Sequence, residues 1–211
     1  MGEAVSGAGV PRYRADLPFP DYAYVPGRHP HPQRDPRGHS HERPDPAPPP
    51  AHPPDPSDWR GCAAFLYGVD LFNHGYYWEA HEAWEGLWRL YPAEDRGGLM
   101  VHGLIKLAAC GVKQCEGRRR GVLRHATKAA AAFSGLPASA RIFGLEPGAL
   151  ADAAKRLADQ PEQRVNAAVG PLEPRAFSGE MDTGSPLENA QKQEARAPFR
   201  FNRNEMRSRA R

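Results

Sequence analysis

The stretch Tyr76–Tyr91, YYWEAHEAWEGLWRLY, decides the fold class. A helix turns about 100° per residue, so the faces of this segment can be laid out on a wheel. Leu87, Ala80, Tyr91, Trp84, Tyr77 and Trp88 fall within one arc of roughly 100°, as expected of a helix with one buried face. His81 lies about 20° beyond Trp88, Glu85 about 40° further, and Trp78 beyond both. His81 and Glu85 therefore border an aromatic face framed by Tyr76, Trp78, Trp84 and Trp88. Glu82 falls farther out. Glu79 falls on the opposite side, where the wheel expects water.

The neighbouring segments have the same period. Cys62, Phe65, Leu66, Val69 and Phe72 predict a helix that starts near Ser57 and ends at Gly75, a residue suited to the left-handed C′ position. A third helix is expected over about 93–116, with Gly97 and Gly98 weakening its first turn. A fourth is expected over 119–136 and a fifth over 147–160, the last with proline in its first turn. From Pro161 onward the periodicity is lost. No run alternates with period two, so no sheet is expected. Short connections favour antiparallel neighbours, hence an all-α antiparallel bundle of four to five helices, with the second and third forming a hairpin.

Composition supports a small core with flanks. The chain has 211 residues, and fifteen of its 23 prolines precede Ser57, whereas all four tryptophans lie between Trp59 and Trp88. The expected organisation is a Pro/His-rich extended arm over 1–56, a helical bundle over 57–160 and a disordered basic tail over 161–211. The N-terminus lacks the apolar run of a signal peptide. The longest apolar stretch is interrupted by Lys106 and is too short to span a bilayer. Three cysteines, an odd number, argue against a secreted disulfide scaffold. A cytoplasmic protein is expected, without membrane association. A net charge of +3 specifies no partner.

The polar residues carry the chemistry. A histidine and a carboxylate four apart on a helix can reach one metal ion or share one proton. The simpler alternative is that Glu85 holds the His81 ring or pairs with Arg89. The third helix is apolar nearly all round, and His102, Lys106 and Lys113 form one polar stripe that needs partners. This predicts a cluster of His81, Glu85, His102 and Lys106 in the hairpin interface. The alternative is an interior His102 with Lys106 snorkelling to water. The order HEAWE offers no second histidine at zincin spacing, and no phosphate loop, nucleophile elbow or dinucleotide fingerprint is present.

The flanks add two weaker candidates. His29, His31, His39 and His41 form two His-x-His pairs that could chelate a divalent metal, although a proline-rich arm is poorly preorganised for it. The arm could also fold back over the His81 site. The tail interleaves Arg196, Arg200, Arg203, Arg207, Arg209 and Arg211 with Phe199 and Phe201, a chemistry suited to single-stranded nucleic acid, but a solvated tail is the simpler reading.

The string FNHGYYWEAHEAWEGLW, followed by GLIKLAAC, resembles the bacterial domain of unknown function 309 family. The matching positions are Gly75, Tyr76, Trp78, Glu79, Ala80, His81, Glu82, Glu85 and Trp88, then Gly103, Leu104 and Ile105. Lys106 stands where the family usually has Gln, and His102 where Gln is frequent. The resemblance covers about residues 58–136 and implies an all-helical fold. It implies no reaction. The arm is also similar to an extension found on longer members.

Three functions follow as expectations. The first is a non-enzymatic binding module that recognises a protein partner. The second is a metal-dependent hydrolase with His81, Glu85 and His102 on a divalent ion and Glu82 as general base. The third is an RNA-associated protein that uses its tail.

Overall fold

The computed structural model describes residues 10–175. Among them the fold is all-helical, with a single isolated β-bridge between Ile142 and Leu145 and no strand. A 3-10 turn at Trp59–Gly61 leads into α1 (Ala63–Asn73) and α2 (Tyr77–Trp88). Then come α3 (Arg96–Cys115), α4 (Arg119–Ser134), α5 (Pro147–Asp159) and a short α6 (Val165–Val169). Each of the first five helices packs on the next in the chain, and α6 packs on α5.

Local chemistry sets the boundaries. Gly75 takes φ +85° and ends α1, while the Tyr76 N–H donates back to the Leu71 carbonyl at 2.8 Å. Asp95 caps α3, its Oδ1 accepting from Gly97 N at 2.7 Å and Gly98 N at 3.1 Å. The two glycines that weaken this turn on propensity have a packing reason. A Cβ on Gly97 would lie 2.7 Å from the Tyr91 ring, so Tyr91 can cover the start of α3 only because that side chain is missing. Phe65, Phe72, Trp84, Leu87, Met100, Leu104 and Phe133 fill the centre, and all are essentially inaccessible. No described helix is long and apolar enough to cross a membrane.

Residues 10–56 form no helix, yet the arm lies against the bundle rather than in solvent. Its prolines lack N–H groups, so its remaining polar groups must find side chains or water. Asp70 of α1 accepts from the Tyr13 and Arg14 N–H groups, both at 2.8 Å. The Tyr67 hydroxyl donates to the Pro18 carbonyl at 2.8 Å, and the Tyr91 hydroxyl to the Pro54 carbonyl at 2.6 Å. Phe19 stacks on Tyr76 with ring centres 4.9 Å apart.

The chain also stays attached beyond residue 160. Asn73 exchanges two hydrogen bonds with the Leu172 backbone, at 2.8 and 3.0 Å, and the Gln114 Oε1 accepts from Val165 N at 2.9 Å. Five-residue α6 is too short for periodicity to reveal it, and polar side chains on α1 and α3 hold this segment in place. The tail arginines Arg196, Arg200, Arg203, Arg207, Arg209 and Arg211, with Phe199 and Phe201, lie outside the described residues.

Candidate cation site and its groove

α2 carries the site. His81, Glu82 and Glu85 each offer one ligand atom, and these atoms lie within 4.8 Å of one another. His81 Nδ1 stands 3.4 Å from Glu82 Oε1 and 3.7 Å from Glu85 Oε2. Arg89 donates to the other Glu85 oxygen at 2.8 Å, which turns Oε2 toward His81. His81 Nδ1 is buried and makes no hydrogen bond. Glu85 thus pairs with Arg89 through Oε1 and approaches His81 through Oε2 without a hydrogen bond to its Nδ1. Glu82 stands with the ligand atoms, not apart from them as a separate base would.

α3 meets α2 in an antiparallel register. Trp88 stacks on His102, with ring centres 5.3 Å apart and planes 25° from parallel. Glu85 acts electrostatically on Lys106, one turn further along α3. His81 and Ala109 line a common groove one turn beyond that. His102 and Lys106 therefore lie on the α3 stripe that follows His81 and Glu85 along the seam. His102 is not among the three ligand atoms that converge.

The groove beside His81 has a volume of about 280 Å³ and is lined by Pro26, Trp78, His81, Lys113, Glu116 and His125, among others. Pro26 comes from the arm, so the arm supplies one wall. Trp78 is held by two more arm residues, Tyr24 at 5.2 Å and His31 at 5.6 Å between ring centres. His125 of α4 was not among the expected residues. Helical spacing placed Val122 and Ala126 on the buried face of α4, and His125 lies beside them on that face's border.

Glu79 requires a correction. The wheel places it in water, but it is only 6 % exposed. Its Oε1 accepts from the Tyr24 N–H at 2.9 Å and faces His39 Nε2 at 3.0 Å. The wheel sees only the bundle side of α2, and the arm forms a second layer on the other side. A carboxylate buried this way needs such partners. The arm histidines do not converge as the paired motif suggests. His39 sits on Glu79 and Ser40, His29 stacks on Tyr22, and His31 Nδ1 accepts from Gln33 N and Arg34 N. Among the described residues, none of the four, His41 included, joins a metal-competent group.

Burial and positive neighbours perturb the bases of α3 and α4 near the site. Burial, then Lys106 and Lys128, push His102 down to about 4. Burial, then Arg124 and Lys106, push His125 down to about 4. Burial and Lys128 also lower Lys106, and Glu85 opposes this. The folded protein holds His102 neutral while the unfolded chain takes up a proton near pH 6.5, so the unfolded state binds more protons between pH 6.5 and 4. Stability from His102 is full above that window and falls as pH drops through it. Metal-free wild-type protein should lose about 2–3 kcal/mol from this residue between pH 7.5 and 4.5. His102→Gln, with urea midpoints measured at both pH values, should remove that part of the loss; an unchanged acid limb would contradict it.

Fold and site define an all-helical domain that carries a His-Glu-Glu group on one helix. Residues 65–125 match the model of the family described as Domain of unknown function (DUF309). The match includes all three candidate ligands. No curated protein matches the chain.

Proposed function

We propose that the chain is a non-enzymatic helical binding module that holds one divalent transition-metal ion through His81, Glu82 and Glu85. The spacing of the three ligand atoms carries this reading. Ligands at about 2.1 Å from a tetrahedral ion are about 3.4 Å apart, close to the 3.4 and 3.7 Å seen between His81 Nδ1 and the two carboxylates. The unsatisfied Nδ1 supplies the lone pair that an ion would take. One imidazole and two carboxylates suit zinc and its neighbours better than calcium. Three protein ligands leave coordination positions for a further group from the groove.

Calorimetric titration of chelator-stripped full-length protein with Zn²⁺ tests the reading. One ion per chain is expected, with a Kd in the micromolar range or below. His81→Ala and Glu85→Ala should each weaken binding by at least 100-fold while keeping the helical circular dichroism. Absence of binding to the wild type, or wild-type affinity in both variants, would overturn the reading.

A further inference from the structure

We infer that the outer face of α4 binds the phosphate backbone of double-stranded DNA without reading its bases. The placement of cations on this face, and the side chains it lacks, carry the inference. It does not depend on the cation site of α2.

Charge is segregated along the chain. From Arg96 to Arg141 there are nine lysine and arginine residues and a single carboxylate, Glu116. The other described residues carry twelve such cations and eighteen aspartates and glutamates. α4 has no acidic residue, and its four cations are Arg119, Arg120, Arg124 and Lys128. All four are exposed, as are Leu123, Thr127 and Ala131 between them. At 100° per residue these positions span one arc of about 180°. The opposite face, with Val122, Ala126, Ala129 and Phe133, is buried in the bundle.

Neighbouring carboxylates do not neutralise the row. Arg119 meets Glu162 only at 3.8 Å, between two largely exposed side chains. Glu116 is engaged by Lys113 at 2.9 Å and by Arg118 at 3.0 Å, and Asp152 of the adjoining α5 by Lys155 at 3.0 Å. Arg120, Arg124 and Lys128 have no carboxylate within ion-pair distance among the described residues. They stand one turn apart, about 6 Å along the axis, in a straight row. After burial itself, Lys128 and Arg124 also lower the basicity of Lys106 on α3, so like charge crowds the seam beside the row.

What the face lacks selects the partner. A protein partner needs an apolar or aromatic anchor at the centre of the interface, and Leu123 is the one exposed large hydrophobic among the described residues. A membrane-surface helix inserts its apolar face, and that of α4 is already packed in the bundle. Single strands are held by bases stacked on aromatic rings, and the exposed arc has none. Duplex RNA is gripped through 2′-hydroxyls as well as phosphates, whereas Thr127, the hydroxyl within the row, already donates to the Leu123 carbonyl at 2.9 Å. Guanidinium forks match phosphate oxygens, and contacts to phosphate alone carry no sequence information.

The test is fluorescence anisotropy of a labelled DNA duplex of about 20 base pairs, titrated with the full chain at about 0.1 M salt, where a micromolar Kd is expected. Arg120→Gln, Arg124→Gln and Lys128→Gln combined should weaken binding about 30-fold or more and reduce the slope of log K against log salt by about 2–3. Glutamine is a good helix former, so the circular dichroism should not change. Arg34→Gln, Arg37→Gln and Arg43→Gln combined remove the same charge from the arm and should stay within about 3-fold of the wild type. Leu123→Ala and a duplex of scrambled sequence should each stay within about 2-fold. Arg203→Gln, Arg207→Gln and Arg209→Gln combined should lose less than the α4 variant. No duplex binding, equal losses in the α4 and arm variants, or a larger loss in the tail variant would reject the inference. So would tighter binding to single-stranded DNA, to duplex RNA or to vesicles of anionic phospholipid.

Discussion

Trp84→Ala should lower the unfolding free energy by about 3–5 kcal/mol, the range for deleting a large aromatic side chain from a closed core. Trp84 is fully buried, packs at 5.8 Å between ring centres on Phe72, and donates its indole N–H to the Phe65 carbonyl at 3.3 Å. It lies directly over Gly68, where a Cβ would come within 2.7 Å of the indole Cδ1. The α1–α2 contact is thus shaped around this ring, and alanine leaves a cavity that neighbours can fill only partly. Domains of this kind are stable by about 5–15 kcal/mol, so the variant should approach marginal stability. Urea denaturation with an unchanged m-value would measure the loss. A decrease below about 1 kcal/mol would show that the seam does not depend on the indole.

Asp70→Ala should cost about 3 kcal/mol, for a different reason. The carboxylate is completely buried and ties the arm to α1 through the N–H groups of Tyr13 and Arg14 at 2.8 Å. Arg12 approaches it at 3.7 Å, and its Nε has no other partner. Alanine leaves the two backbone donors unsatisfied and removes the charge that Arg12 faces. Urea denaturation should show the loss, and trypsin should then cut at Arg12 and Arg14 faster than in the wild type. Asp70→Asn, which keeps one acceptor oxygen, should lose less. If both variants equal the wild type in stability and cleavage, this anchor does not hold the arm.

Helix periodicity made the bundle legible in the sequence. The apolar spacing in α1 to α5 is set by their own burial, and Gly75, Pro92 and Pro137 mark where it stops. The wheel also brought His81 and Glu85 together, because that depends only on angles within one element, but it set apart Glu82, whose side chain reaches back to 3.4 Å from His81. It failed where a contact comes from far along the chain. Glu79 looked solvated because the residues that cover it, Tyr24 and His39, are 55 and 40 positions away and belong to a segment without any period. The attachment of residues 161–175 was hidden for the same reason, since Asn73 reaches Leu172 across 99 positions. His125 illustrates a third limit. A sequence shows that it is polar at the edge of an apolar face, but only coordinates show that its buried Nδ1 makes no hydrogen bond.

The wall that Pro26 contributes has a consequence for how the site could diversify. The family match covers residues 65–125, and the three candidate ligands fall inside it, whereas Pro26, Tyr24 and His31 fall outside. The stretch that would grip an ion and the stretch that walls the groove beside it are therefore separate parts of the chain. Edits to the arm would reshape the groove without disturbing the grip, and a fragment trimmed to the matched residues would lack that wall.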